Sequence, residues 1–157
     1  METWDAIRSR RNVRQYTNQP IAREDLERIL EAGRRAPSSM NWQPWNLVVV
    51  TDREQLVELA KVWQGGAHVA DSAATIALVA AEPEDAMHRD WLQYDFGQAT
   101  ANMMVTAADL GIRVGSLGRR RPGAGPACPR VSRPVLRRVP DRPWLPRRSA
   151  AAPAPAS

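Results

Sequence analysis

The chain has 157 residues, a formal net charge of +5 and a hydrophobic fraction of 43%, enough for one domain with a core. Its single cysteine, Cys128, excludes a disulfide framework or a cysteine metal centre, and two histidines, His68 and His88, give no ligand cluster. The charge is split, with a net of −5 over residues 1–112 and +10 over 113–157, so a nucleic-acid reading from basicity rests on the tail alone.

The N-terminus has no charged-then-apolar leader, because Trp4, Asp5 and Arg8 interrupt one. No apolar run approaches the roughly 20 residues that span a bilayer. A soluble, cytoplasmic protein with no membrane partner is expected.

In chain order, Glu2 to Arg10 reads as a short helix with Trp4 and Ile7 on one face, followed by an extended piece over Val13 to Tyr16. Ala22 to Arg35 reads as a second helix, with Leu26, Ile29, Leu30 and Gly33 at helical spacing, ended by Pro37. Trp45 to Thr51 is a continuous β-branched run, expected to be a buried strand. Asp52 then caps a helix to about Trp63, and Gly65-Gly66 breaks it. Thr75 to Ala81 is a second buried strand, and Glu82 to Asp85 an acidic turn. Trp91 to Leu110 is the longest predicted helix, stopped by Gly111, with a face of Phe96, Ala99, Met103, Val105, Thr106 and Ala107, largely small or flexible residues suited to close helix packing within the chain or across a dimer. Helices alternating with strands indicate an α/β or α+β fold.

Periodicity ends at Ile112. Nine of the thirteen prolines lie in 113–157, which we expect to be disordered. A natural basic tail for acidic partners or nucleic acid is one origin. The favoured one is a reading-frame shift near Arg113–Val114 in a GC-rich gene, a bias matched by 21 arginines against one lysine.

Two motifs carry chemistry. Arg10, Arg11 and Arg14 surround Asn12 where the first helix ends, and guanidinium forks pair with two phosphate oxygens at once. A solvated basic patch is the plainer reading of those residues. Pro37, Ser38, Ser39 and Asn41, with Gln43-Pro44-Trp45 behind them, suit a loop presenting amides and hydroxyls to a flat ligand, or an ordinary turn.

Together, in this order, the two motifs resemble the opening of the FMN-dependent nitroreductase family, and Asp95 to Ile112 is similar to its interface helix. The resemblance covers about residues 3–112. It implies an α+β fold, a nitroreductase-like sheet flanked by helices, incomplete here because of the departing tail. It also implies FMN, with NAD(P)H as electron donor and hydride passed through flavin N5 to a small electron-poor acceptor, a nitroaromatic or quinone. Carried over, Arg10 and Arg11 take the phosphate, Asn12 stands where the family usually has serine, and Arg14 lies toward flavin N1/O2. Pro37, Ser38, Ser39 and Asn41 reach the flavin of the other subunit, making the site a property of a homodimer. No side-chain acid, nucleophile or metal ligand set is implied, and His68 is set aside, a lone histidine being more often structural or exposed. The alternatives are an inactive remnant lacking the C-terminal half of the site, or a binder acting through the basic tail.

Overall fold

The computed structural model describes residues 1–17 and 19–117. The expectations of disorder, of a frame-shifted tail beyond Leu117 and of a tail-borne binding function, with Cys128, lie outside the described residues. The elements are α1 (Thr3–Ser9), α2 (Arg23–Arg34), β1 (Asn46–Val50), α3 (Arg53–Val62), β2 (Thr75–Val79) and α4 (Ala86–Asp109), with single 3-10 turns at Ser39–Asn41 and Ala67–Asp71. The class is α+β, as expected.

The longest helix, α4, is the axis of the fold. Helix α2 packs along it and α1 rests against it. Close approach depends on Gly33, where an added Cβ would lie 2.8 Å from both Cγ and Sδ of Met103. The small residues Ala99 and Ala107 are fully buried on the same helix. The close packing expected of this helix is therefore made within the chain, against α2.

Strands β1 and β2 pair antiparallel, Asn46 opposite Val79 through Val50 opposite Thr75. Leu47, Ile76 and Leu78 pack toward Ile29, Met103 and Ala107, whereas Val48 and Val50 pack toward Leu56, Leu59 and Val69. Apolar cover on both faces explains the unbroken β-branched run. The strands are nevertheless only half-buried, contrary to expectation, with Val50 alone fully buried. Both are edge strands among the described residues, so each keeps one open side.

Local signals set the helix ends. Asp52 accepts from the backbone N–H of Gln55 at 3.0 Å, the cap read from the sequence. Asp52→Ala is expected to lower stability by about 1 kcal/mol, measured by denaturant unfolding. Helix α4 starts at Ala86, five residues before the predicted Trp91, because Asp85 accepts from the N–H of His88 at 2.8 Å and acts as its cap. Gly111, at φ +75°, stops it in the left-handed region as expected. Helix α1 turns Ala6 inward, leaving Trp4 69% exposed, so the Trp4–Ile7 face does not join the core. Instead the N-terminal ammonium pairs with Asp109 at 2.8 Å, an interaction that holds the Asp109 carboxyl below its usual range.

The chain does not leave the fold at Ile112. Asn12 and Val114 form a parallel bridge, in which the Val13 N–H donates to the Val114 carbonyl at 3.0 Å. The Ser116 N–H donates to Asn12 Oδ1 at 2.7 Å, and the Arg113 guanidinium to the Ser9 carbonyl at 3.2 Å. Leu117 packs against the Leu56 cluster. Five residues past the expected boundary thus dock onto the arginine motif.

Candidate functional site

The arginine motif begins where α1 ends, and Arg10, Arg11, Asn12 and Arg14 are all exposed. Arg11 donates to the carbonyls of Arg8 and Arg10 at 2.7 and 2.8 Å. Among the described residues the Arg10 guanidinium meets only the Met104 sulfur, at 3.7 Å, a weak acceptor. Arg10 and Arg11 share a shallow crevice with Arg113, floored by Met104 and Ala108 and without a carboxylate in its lining. Such a donor set suits an anion. Asn12 has its amide oxygen engaged by Ser116, so its NH2 is the donor left for a ligand. Arg14 has no hydrogen-bond or salt-bridge partner among the described residues.

Behind this surface lies a support. The Tyr16 hydroxyl donates to the Val13 carbonyl at 3.0 Å. Burial raises its phenol pKa, and the Gly115 N–H and the Arg14 charge offset part of that rise. The buried His68 ring lies 6.0 Å from Tyr16, with Nδ1 at 3.1 Å from the Gly65 carbonyl. His68 thus braces the motif from inside: of the two expectations for it, structural or exposed, it meets the first. Gly115 completes the support, because a Cβ there would collide with the Val13 carbonyl oxygen and lie 2.6 Å from the Tyr16 hydroxyl.

The second motif forms a compact loop. Pro37 is exposed and Ser38 and Ser39 are half-buried. The Ser38 carbonyl accepts from the Asn41 N–H at 3.0 Å, and its Oγ accepts from the Gln43 N–H at 3.0 Å. Asn41 is exposed, its Oδ1 accepting from Gln43 Nε2 at 2.8 Å, which leaves its own NH2 free to donate. Met40, Asn41 and Gln43 hold φ values of 49°, 56° and 49°, a left-handed region where non-glycine residues are strained. The carboxylate of Asp95, on α4, accepts from the Ser39 N–H at 2.9 and 3.0 Å and from the Ser39 hydroxyl at 3.0 Å.

Each motif is assembled, but the chain does not bring the two together. Arg10 touches α4 at Met104 and Ser39 touches it at Asp95, nine residues away. At the helical rise that separates the contacts by about 14 Å along the axis. Sequence reasoning missed Asp95, Arg113 and Gly115. The available signal for Asp95 was its place at the head of a four-residue series with Ala99, Met103 and Ala107, a lone acid on a buried stripe. Among the described residues no group of three or more His, Cys, Asp or Glu is placed to hold a metal.

The fold and site define a helix-flanked α+β protein whose long helix carries an exposed cationic motif and a pinned hydroxyl-bearing loop. The Nitroreductase family profile matches residues 7–121, and the chain belongs to that family. A protein of Archaeoglobus fulgidus is 38% identical over 108 residues, covering 68% of this chain and 61% of its own length. The FMN reductase [NAD(P)H] of Bacillus subtilis is 31% identical over 119 residues, 73% of this chain and 47% of its own. The NADPH:FMN oxidoreductase of Vibrio harveyi, solved with NAD+, superimposes with a TM-score of 0.64 at 26% identity, covering 69% of this chain and 52% of that one. The chain therefore spans about half to six tenths of the length of these relatives.

Proposed function

We propose that this chain holds FMN as part of an NAD(P)H-dependent oxidoreductase of nitroreductase type, acting on a small electron-poor acceptor such as a nitroaromatic or quinone. The observation that carries the reading is the crevice shared by Arg10, Arg11 and Arg113, an all-cationic donor set, with Arg14 following in the same motif. Arg10, Arg11 and Arg113 would hold the phosphate, with Asn12 as a neutral donor. Arg14 would lie toward flavin N1/O2, where a cation favours the reduced anionic ring. Pro37, Ser38, Ser39 and Asn41 would meet the flavin of a second copy. In that homodimeric arrangement each chain offers its two motifs, anchored about 14 Å apart along α4, to different flavins. Bound FMN would supply the two-electron chemistry between NAD(P)H and acceptor, while the protein binds, orients and tunes.

No helix among the described residues is long and apolar enough to cross a membrane. Docking of Arg113 to Leu117 and the family match to residue 121 argue for placing any reading-frame shift after residue 121. One competing reading is a remnant that holds no flavin. Titrating the purified chain with FMN separates the two. The proposal expects quenched flavin fluorescence, a stoichiometric yellow complex, and NAD(P)H oxidation that depends on an added quinone or nitroaromatic. A folded protein that stays colourless in excess FMN supports the remnant and overturns the proposal.

A further inference from the structure

Asp95 has 0% of its surface exposed and no ion-pair partner among the described residues. An ionised carboxylate removed from water without a counter-ion is costly, so its hydrogen bonds must compensate. They come largely from one residue, Ser39, through both its N–H and its hydroxyl, with Gln98 Nε2 more distant at 3.5 Å. The tie spans from α4 to the very start of the 3-10 turn, and the residues just beyond it are the strained ones. Met40, Asn41 and Gln43 all sit in the left-handed region although none is glycine. Such a shape persists only where its surroundings over-determine it.

A second fastening lies at the far end of the turn. The Trp42 ring meets His88 edge-on at 5.8 Å, His88 meets Trp91 at 5.4 Å, and His88 Nδ1 lies 2.9 Å from Asp85. The loop is therefore gripped at Ser39 and at Trp42, both times by α4. Between the grips Met40 and Asn41 project into solvent.

We infer that Asp95 is a positioning residue: its buried carboxylate fastens Ser39 and so holds the Pro37–Gln43 loop in the strained shape that presents Ser38 and Asn41 to a ligand. The inference rests on the flavin reading above. It assigns to α4 a role in the site as well as in packing, since the same helix face that buries Ala99 and Met103 also sets the loop.

The test uses the full chain and the variants Asp95→Asn, Asp95→Ala and Asp52→Ala, the last the loss of the α3 cap, whose one side-chain bond is to the Gln55 N–H and which leaves the loop's contacts intact. Hydrogen exchange at the amides of Ser39, Asn41, Trp42 and Gln43 is read on flavin-free protein, and FMN affinity and melting temperature are read alongside. Asp95→Ala should accelerate loop exchange and weaken FMN binding, each by about tenfold or more, the effect of losing charge-assisted hydrogen bonds. Asp95→Asn should fall between, because its one remaining oxygen still accepts the Ser39 N–H. Asp52→Ala should lower the melting temperature yet leave FMN affinity within about threefold, as expected for a distant site. Wild-type exchange and affinity in Asp95→Ala would overturn the inference, and so would an equal loss of affinity in Asp52→Ala. Should Asp95→Ala fail to fold, Asp95→Asn decides by the same readings. Should the wild-type chain bind no FMN, the flavin reading fails, and loop exchange alone then supports or overturns the role of Asp95.

Discussion

Substituting Gly115 by alanine is expected to destabilise the protein by about 3 kcal/mol, at the upper end of what overpacking costs. The added methyl would run into the carbonyl oxygen of Val13 and stand 2.6 Å from the Tyr16 hydroxyl, with His68 Nε2 at 3.2 Å. A side chain in its path could rotate away, but the Val13 carbonyl is backbone and has no such escape. Relief would require the segment after α4 to lift from the arginine motif. That movement breaks the Val13–Val114 and Ser116–Asn12 hydrogen bonds, which hold Asn12 and the residues around it in register. Denaturant unfolding gives the stability. Exchange at the Val13 and Ser116 amides reports whether the segment has lifted. An alanine variant as stable as the parent, with both amides still protected, would show that residues 113–117 do not dock as described. The result bears on the tail as well. A segment in random composition has no reason to place its one glycine where only glycine fits, so a large effect would mark 113–117 as native to the fold.

How much of this was legible in the sequence follows from which interactions are local. Helix α2 and helix α3 were legible because apolar spacing and the Asp52 cap act within a turn or two of chain. The start of α4 was not, because Asp85 reads equally well as part of an acidic turn, and only its bond to the His88 N–H makes it a cap. The strands were legible as runs of β-branched residues, but not as open edges, since that depends on how many neighbours the sheet has. Trp4 and Ile7 suggested an inward face that the short α1 does not use, because Ala6 is the residue it buries. The two site motifs were legible as composition and order. Their supports were not: Asp95 reaches Ser39 across 56 residues, and Ser116 reaches Asn12 across 104. The arginine-rich composition after Ile112 also concealed the docking of 113–117, which depends on backbone hydrogen bonds rather than on apolar pattern.

Removing the guanidiniums should separate phosphate recognition from flavin-ring recognition. Arg10→Ala is expected to weaken FMN binding roughly 10- to 100-fold, the span of one charge-assisted hydrogen bond of about 1.5–3 kcal/mol. Arg11→Ala should weaken it less. In the free protein Arg11 is already bonded to the carbonyls of Arg8 and Arg10, and turning to a phosphate forfeits those bonds. Arg10 gives up only a weak contact with the Met104 sulfur. Both side chains are exposed, so their loss should move stability by no more than about 0.5 kcal/mol, and a change in affinity is then not a folding defect. Riboflavin, which lacks the phosphate, is the internal control: its affinity should be unchanged in both variants, while FMN falls. Added salt should weaken FMN binding to the parent and do so less in the double variant, since screening acts on the charges that remain. If FMN and riboflavin lose affinity together, or if neither does, the phosphate does not sit on this motif, and the assignment of the crevice beside Arg113 goes with it.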